Sequence, residues 1–202
     1  MSKKAGAVSA ETKMRLLQAA RNEFAEKGFQ KSSLRKICDA ADVTTGALYF
    51  FFNGKDDLFE TVISDVTVPF MERIKEHYDL EEDSPKRNSS SGEKEDLEVS
   101  EELLDLYCDH RQVCDIIVSH LSHPAVCSFI DSFVEYTTDH YIKILSEGNH
   151  VREIDPFAVQ WFSRLQLDVM FGLISHGFSK EEIKKHVEVV IKMLRGAFAT
   201  LI

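Results

Sequence analysis

The 202-residue sequence has no uninterrupted apolar stretch near the ~20 residues needed to cross a bilayer, and no apolar signal segment near its start. Its four cysteines include no CxxC pair, which argues against a disulfide scaffold or a zinc ribbon. No alternating strand pattern competes with helical periodicity. These absences predict a cytoplasmic, all-α globular protein with reduced thiols and no association with a membrane.

Signatures of catalysis are also missing. No nucleophile and base stand at motif spacing, and the formal S-x-x-K match of Ser33 to Lys36 has no partner motifs. His110 and Cys114 are four residues apart on one helix face, but two ligands are too few for zinc, which favours a packing role. The sequence therefore predicts no enzyme, no metal site and no cofactor.

The net charge of −10 is unevenly distributed. Residues 1–55 carry ten Lys and Arg against five Asp and Glu, a net charge of +5, and the remaining residues carry −15. Charges are screened beyond about 8 Å at physiological salt, so an acidic body does not prevent a basic N-terminal face from binding phosphates. The charge pattern is compatible with a localised DNA-binding surface.

Apolar periodicity and turn signals predict nine helices. Their approximate bounds are 11–27, 33–40, 44–52, 55–78, 97–108, 110–121, 124–147, 155–176 and 179–200. We divide the chain into a flexible N-terminal arm (1–10), a helix-turn-helix DNA-binding domain (11–55) and a helical effector-binding and dimerisation domain (56–202). The last of these contains a polar, Ser-rich stretch at about 79–96 that predicts a mobile loop.

One N-terminal segment carries the most specific pattern. Gly28-Phe29 precedes a polar helix start at Ser32-Ser33, and the run Val43-Thr44-Thr45-Gly46-Ala47-Leu48-Tyr49-Phe50-Phe51-Phe52 is followed by Lys55-Asp56-Asp57-Leu58. Over residues 11–60 this order and spacing closely resemble the DNA-binding module of the TetR (tetracycline-repressor) family. The resemblance implies a one-component transcriptional regulator of the repressor type. Such a regulator binds a pseudo-palindromic operator as a homodimer and is released by a small-molecule effector.

The residue types at these positions suit DNA. Thr44 can cap the recognition helix and meet a phosphate, Gly46 allows close approach of the backbone, and Tyr49 and Lys55 suit phosphate oxygens. Base contacts then fall to methyl groups and a ring on the recognition helix, with an arginine on the preceding helix. The predicted DNA-binding residues are Ser33, Arg35, Thr44, Thr45, Gly46, Ala47, Tyr49, Phe50 and Lys55.

One position departs from the family pattern. Histidine often precedes the final phenylalanine of the motif, and here Phe51 occupies that position. The loss of an imidazole contact to phosphate supports an alternative, a helical small-molecule-binding or scaffold protein whose helix-turn-helix no longer binds DNA. For Ser33 a pure helix cap, and for Tyr49 core packing, are the competing interpretations.

The acidic C-terminal body is rich in aromatic and soft side chains, Tyr78, Phe129 and Tyr141 among them. The resemblance implies a mostly apolar effector pocket there, and the acidic surroundings favour a cationic or neutral amphipathic effector over an anion. Core packing explains most of these residues equally well. The candidate ligand contacts are Phe70, Met71, Tyr107, His110, Phe133, Tyr136, Trp161 and Met170.

Two final helices with broad apolar faces predict a dimer interface in which they form a four-helix bundle with a second copy. Packing within one subunit is the alternative. The candidate interface residues are Phe162, Leu165, Val169, Val187, Val190, Ile191 and Leu194.

Overall fold

The computed structural model describes residues 2–82, 90–147 and 155–200, and within them every regular element is an α-helix. The all-α class predicted from periodicity is therefore confirmed. The helices are α1 Ser2–Lys31, α2 Leu34–Ala40, α3 Thr45–Phe51, α4 Lys55–Glu82, α5 Ser90–Asp109, α6 Arg111–Ser119, α7 Pro124–Glu147, α8 Pro156–Ser175 and α9 Lys180–Ala199.

Two boundaries differ from the sequence prediction. Helix α1 begins at Ser2, so residues 2–10 continue the helix instead of forming a separate arm, because nothing in this Ala- and Lys-containing stretch stops a helix. Part of the predicted loop at 79–96 is helical as well, since residues 79–82 belong to α4 and residues 90–96 to α5. The rest of that loop prediction, residues 83–89, lies outside the described residues.

The chain forms two compact units, residues 1–67 with 110–126, and residues 68–109 with 127–202. The sequence-based boundary at residue 55 differs from this division. Helix α6 packs against α1, so the segment 110–126 belongs to the same unit as the helix-turn-helix. Three short helices bury too little apolar surface alone, and α6 adds the buried Val113, Ile116 and Ile117.

The first unit, called here the N-terminal unit, is centred on fully buried aromatic and aliphatic side chains. Phe24, Phe29 and Phe59 meet edge to face at centroid distances of 5.2 Å from Phe59 to each of the other two. Ile37 of α2 and Leu48 of α3 are fully buried in the same unit. This core fixes α2 and α3 on α1 and α4.

The second unit, called here the C-terminal unit, consists of the later part of α4, α5, most of α7, and α8 and α9. Helix α5 packs against α9, and α8 packs against α9. Ion pairs join α5 to α9 along their length, from Asp105 with Lys180 to Asp96 with Arg195. Pro69 lies inside α4.

No single helix in the described part of the chain is long and apolar enough to cross a membrane. Two consecutive helices, Arg111–Ser119 and Pro124–Ser146, pass that test only as a pair bent by 97°.

Candidate nucleic-acid interface and ligand cavity

Helix α3 is held at its start by Thr44. The Thr44 side chain accepts a hydrogen bond of 3.2 Å from the backbone N–H of Ala47, which confirms the predicted N-cap. Leu48 faces the core, while Thr45, Tyr49 and Phe50 point outward. Tyr49 is 60% exposed and Phe50 is 78% exposed, so core packing does not explain either ring. A helix with one buried face and one solvent-exposed aromatic face is suited to docking in a groove of DNA.

Gly46 has no structural reason to lack a side chain. A Cβ built there would meet only the Thr44 Oγ1 atom, at 3.7 Å, an ordinary contact. The backbone at Gly46 is helical, so positive φ does not require glycine either. The fold therefore does not require glycine here, and the predicted close approach of DNA to Gly46 stays a prediction.

Helix α2 presents two cations beside α3. Ser33 caps α2, its side chain accepting from the Lys36 N–H at 3.5 Å, and its own N–H donates to a carboxylate oxygen of Glu23 at 3.1 Å. The cap interpretation of Ser33 is thus observed, and a DNA contact by Ser33 stays a prediction. Arg35 and Lys36 are both exposed. Lys36 was not among the residues predicted from the sequence, although its charge and its neighbour Arg35 were visible there.

Lys55 is engaged within the protein. Its Nζ donates to the carbonyl oxygens of Phe29 at 2.7 Å, Ser32 at 3.3 Å and Gln30 at 3.4 Å, and it lies 4.5 Å from the Phe29 ring centroid. These carbonyls end α1, where the charge of a cation is favourable. Lys55 therefore holds the α1–α2 junction, and its predicted contact with phosphate stays untested.

Phe51 packs at the end of α3. It is half-buried, with its ring centroid 5.0 Å from that of Phe50 and 6.2 Å from that of Phe52. Phe51 therefore supports the exposed Phe50 ring from one side and joins it to the buried Phe52. Of the two rings, Phe50 is the one that faces outward.

Two histidines of α6 and the following turn support the start of this interface. The Nε2 atom of His120 accepts from the Phe29 N–H at 2.8 Å, and its Nδ1 lies 2.7 Å from the Ile116 carbonyl oxygen, which requires the Nδ1–H tautomer. The buried ring of His123 lies 4.3 Å from Phe29 and 4.1 Å from Phe59, between centroids. Both contacts hold the segment from which α2 begins.

The C-terminal unit contains a cavity of about 560 Å³. Its wall is mainly aliphatic and aromatic, with side chains from α4, α5, α7, α8 and α9. This volume falls within the range of about 300–1,000 Å³ that is common for sites of small organic ligands. Four predicted ligand residues line the cavity, namely Phe70, Tyr107, Phe133 and Met170.

The other four predicted ligand residues do not line this cavity. Trp161 is 69% exposed and lies with Phe157 in a separate surface groove, and Met71 is only half-buried. Tyr136 donates from its hydroxyl toward Asp79, at 3.2 Å. His110 precedes α6 in the N-terminal unit. The number of apolar residues in a helix does not show which face of that helix lines the cavity.

Six of the seven predicted dimer residues also line the cavity, and only Leu165 does not. Phe162 and Ile191 are buried. The sequence did not distinguish cavity residues from interface residues because α8 and α9 have apolar residues on more than one face. Periodicity does not show which of these faces a second helix covers. The six residues that line the cavity are Phe162, Val169, Val187, Val190, Ile191 and Leu194.

The lining of the cavity includes charged side chains that the sequence prediction missed. Asp96 of α5 makes an ion pair with Arg195 of α9, and its other carboxylate oxygen lies 3.3 Å from the Nε2 atom of His77 on α4. Asp96 fell within the predicted loop, and 99 residues separate it from Arg195, so no local signal pairs them.

A second polar group also lines the cavity. The hydroxyls of Tyr78 and Tyr141 are 2.9 Å apart, and Gln166 of α8 donates to the Tyr141 hydroxyl at 3.2 Å. All three side chains line the cavity. This group offers uncharged donors and acceptors.

None of the four cysteines forms a disulfide bond. Among the described residues, no group of three or more His, Cys, Asp or Glu side chains has an arrangement that could hold a metal ion. His110 and Cys114 contact each other through the backbone at the start of α6.

Comparison with known proteins agrees with this geometry. Residues 16–62 match the sequence profile of the bacterial regulatory proteins of the tetR family. The HTH-type transcriptional repressor BepR of Brucella suis biovar 1 is 41% identical over 63 residues, 31% of this chain and 30% of BepR. The match therefore spans less than a third of this relative's length.

Solved structures extend the likeness of the fold to nearly the whole chain. A protein from Syntrophomonas wolfei assigned to the TetR family has a TM-score of 0.71 and 17% identity, covering 92% of this chain and 95% of its own. The regulator FadR of Bacillus subtilis, solved in complex with stearoyl-CoA, has a TM-score of 0.64 and 15% identity, covering 88% and 96%.

A capped, exposed third helix packed beside a short second helix defines a helix-turn-helix DNA-binding protein. With the profile match over residues 16–62, this part of the chain is a DNA-binding module of the TetR family of bacterial regulatory proteins. The resemblance predicted from the sequence is confirmed for that module.

Proposed function

We propose that the chain is a cytoplasmic, ligand-responsive repressor that reads a pseudo-palindromic operator through α2 and α3. The observation that carries this proposal is the bare outer face of α3, on which Tyr49 and Phe50 are largely exposed although both are aromatic. Arg35 of α2 supplies a charge for phosphate or a guanine edge. Thr45, Ala47 and Phe50 contact thymine methyl groups, and Thr44 and Tyr49 contact the backbone.

Two copies bind together in this proposal. On α8, Phe157, Trp161 and Leu165 stand four residues apart and are exposed, and on α9 Val189 and Met193 are exposed with the same spacing. A monomer seldom leaves large apolar stripes in water, and a two-fold interface pairs the same surface on both subunits. We assign the dimer interface to this stripe, which retains Leu165 from the sequence prediction and replaces the six cavity residues.

The cavity of the C-terminal unit is the proposed effector site. Its volume and mostly apolar wall suit a small organic molecule, and a relative of similar fold, FadR, was solved with stearoyl-CoA. Helix α4 contributes residues both to the N-terminal unit and to the cavity, so it is the proposed lever between effector and operator. A coupling free energy of about 1–3 kcal/mol changes operator affinity about 5- to 150-fold.

Phe51 favours the second candidate, a relative that keeps the fold and has lost DNA binding. The ring replaces a side chain suited to phosphate, and it packs against Phe50. Under this candidate the cavity binds its ligand, but no duplex is bound specifically.

Selection of bound sequences from random duplex DNA, repeated at two salt concentrations, separates the two. The regulator predicts enrichment of a two-fold-symmetric site at both concentrations. Weak binding that disappears at the higher salt concentration, with no enriched sequence, supports the second candidate.

A further inference from the structure

The wall of the cavity combines two kinds of chemistry. Most of it is aliphatic, formed by residues such as Val99, Leu103, Leu173 and Ile183, while the strongly polar side chains among its described lining residues belong to the two groups described above or are those of Ser100 and Tyr107. A ligand that fills such a cavity needs a long apolar body, because burying a polar body against this wall would leave its hydrogen bonds unmade.

The charged group contains a pair of opposite charges. Asp96 carries one negative charge and Arg195 one positive charge, and the two side chains are in direct contact. A carboxylate on the ligand would compete with Asp96 for the guanidinium and would approach the Asp96 charge. An ammonium would be attracted to Asp96 but repelled by Arg195. In a cavity with low dielectric constant, either charge costs more desolvation than the paired residues return.

The neutral group provides hydrogen-bond donors and acceptors for an uncharged head group on the ligand. The Tyr78 and Tyr141 hydroxyls can each donate or accept, and Gln166 supplies both an amide N–H and a carbonyl oxygen. A hydroxyl or a carbonyl on the ligand can join this group without introducing a charge.

We infer that the cavity binds an uncharged, elongated amphiphile, a chain or fused-ring hydrocarbon that carries one hydroxyl or carbonyl head. This inference rests on the proposed function only for the effect of the ligand on DNA. The choice of head follows from the Asp96–Arg195 pair and the Tyr78–Tyr141–Gln166 group.

Isothermal titration calorimetry with three ten-carbon probes tests the head directly. The probes are 1-decanol, decanoate and decylamine at pH 8, which share one chain and differ in charge. We expect 1-decanol to bind at least about tenfold more tightly than either charged probe, and affinity to rise about fourfold per methylene from 1-octanol to 1-decanol. Stronger binding of decanoate or decylamine, or no binding of any probe, overturns the inference.

Two charge variants test the assigned residues. Asp96→Asn removes the negative charge beside Arg195, so decanoate should gain affinity relative to 1-decanol. Arg195→Gln should shift the preference toward decylamine. The matched control is Asp105→Asn, which removes the corresponding carboxylate from another α5–α9 ion pair whose residues do not line the cavity. A variant series in which the order of the three probes never changes overturns the assignment.

Measurements on the same samples distinguish a failure of this inference from a failure of the proposed function. If 1-decanol binds as expected but does not weaken binding to the selected operator, the ligand class stands and the effector role fails. If operator binding is intact and 1-decanol does not bind, the ligand class fails and the regulator stands.

Discussion

Two glycines of the N-terminal unit are present for different reasons. Gly28 interrupts α1 with φ 69° and ψ 165°, a conformation that is essentially restricted to glycine. Gly46 is helical and has room for a methyl group. The first glycine is required by the fold, and for the second we propose a close approach by DNA.

Substitution by alanine should separate these roles. Gly28→Ala should lower the free energy of unfolding by about 1–3 kcal/mol because of backbone strain. Gly46→Ala should leave it unchanged or raise it by up to about 1 kcal/mol, while operator affinity falls about tenfold or more. Urea unfolding and fluorescence anisotropy on the selected duplex measure the two quantities. A Gly46→Ala protein that binds the duplex as well as wild type would contradict the close approach.

Lys55 belongs to the fold through its contacts with the carbonyl oxygens at the end of α1. Lys55→Met keeps the aliphatic stem and removes these charged hydrogen bonds, so we expect a loss of about 1–3 kcal/mol in the free energy of unfolding. Thermal and urea unfolding provide the measurement.

Arg35→Gln is the matched control, because Arg35 is exposed. It should change stability by less than about 0.5 kcal/mol and should lower the slope of log affinity against log salt by about one. If Lys55→Met behaves in the same way, with full stability and a reduced salt slope, then Lys55 acts mainly on phosphate and our structural assignment is wrong.

At the scale of elements, the turn between α6 and α7 places a pH-sensitive group, His123, against Phe29 of α1 and Phe59 of α4. Burial lowers the pKa of His123 below its ordinary value of 6.5, and the nearby Asp56 carboxylate acts in the opposite direction. The folded state therefore favours the neutral ring, and the unfolded chain takes up the proton first as the pH falls. The stabilisation is complete above pH 6.5 and is lost as the pH falls toward the lowered pKa of the folded state.

We therefore expect the free energy of unfolding to decrease between pH 7.5 and pH 5.5, and the decrease to be smaller in His123→Phe, which keeps a ring between Phe29 and Phe59. Urea unfolding at several pH values measures both. His186→Gln, at an exposed position of α9, serves as control and should follow wild type. Identical pH dependence in His123→Phe and wild type would rule out this role.

Local sequence signals predicted most elements because caps and apolar spacing act within a few residues. Thr44 marks the start of α3 through its side chain, and Asp155 and Ser179 cap α8 and α9 in the same way. The failure at α5 is instructive. Its first turns are polar and were interpreted as a loop, yet α5 begins at Ser90 and Asp96 is held by Arg195 from α9. Tertiary contacts of this kind leave no periodic signal.

At the scale of the whole molecule, tertiary contacts also decide which apolar residues line the cavity and which lie on the surface. The sequence pattern does not contain this information. The sequence showed which residues of α8 and α9 are apolar, but not that Phe162 and Ile191 face inward while Trp161 and Met193 face water. The exposed residues of α3 were easier to predict, because the motif fixes their order along one short helix. Partition into two units depends on α6, which is distant in sequence from α1.

The exposed stripe on α8 and α9 predicts the assembly state. Trp161→Glu should convert a dimer into a monomer, because a carboxylate would be buried without a partner at the centre of the interface. Sedimentation velocity at micromolar concentration measures the mass. Val68→Glu, which alters an exposed apolar residue of α4, is the control and should stay dimeric. A Trp161→Glu dimer would move the interface elsewhere.

The central claim is that two copies read successive major grooves of one operator. Affinity for the selected duplex, measured by anisotropy with and without five base pairs inserted between the half-sites, tests it most directly. Two recognition helices require a spacing of about 34–36 Å between the half-sites. The insertion adds about half a helical turn, so it places the half-sites on opposite faces of the DNA. The account predicts that affinity falls to the level of a single half-site. Unchanged affinity after the insertion would contradict it.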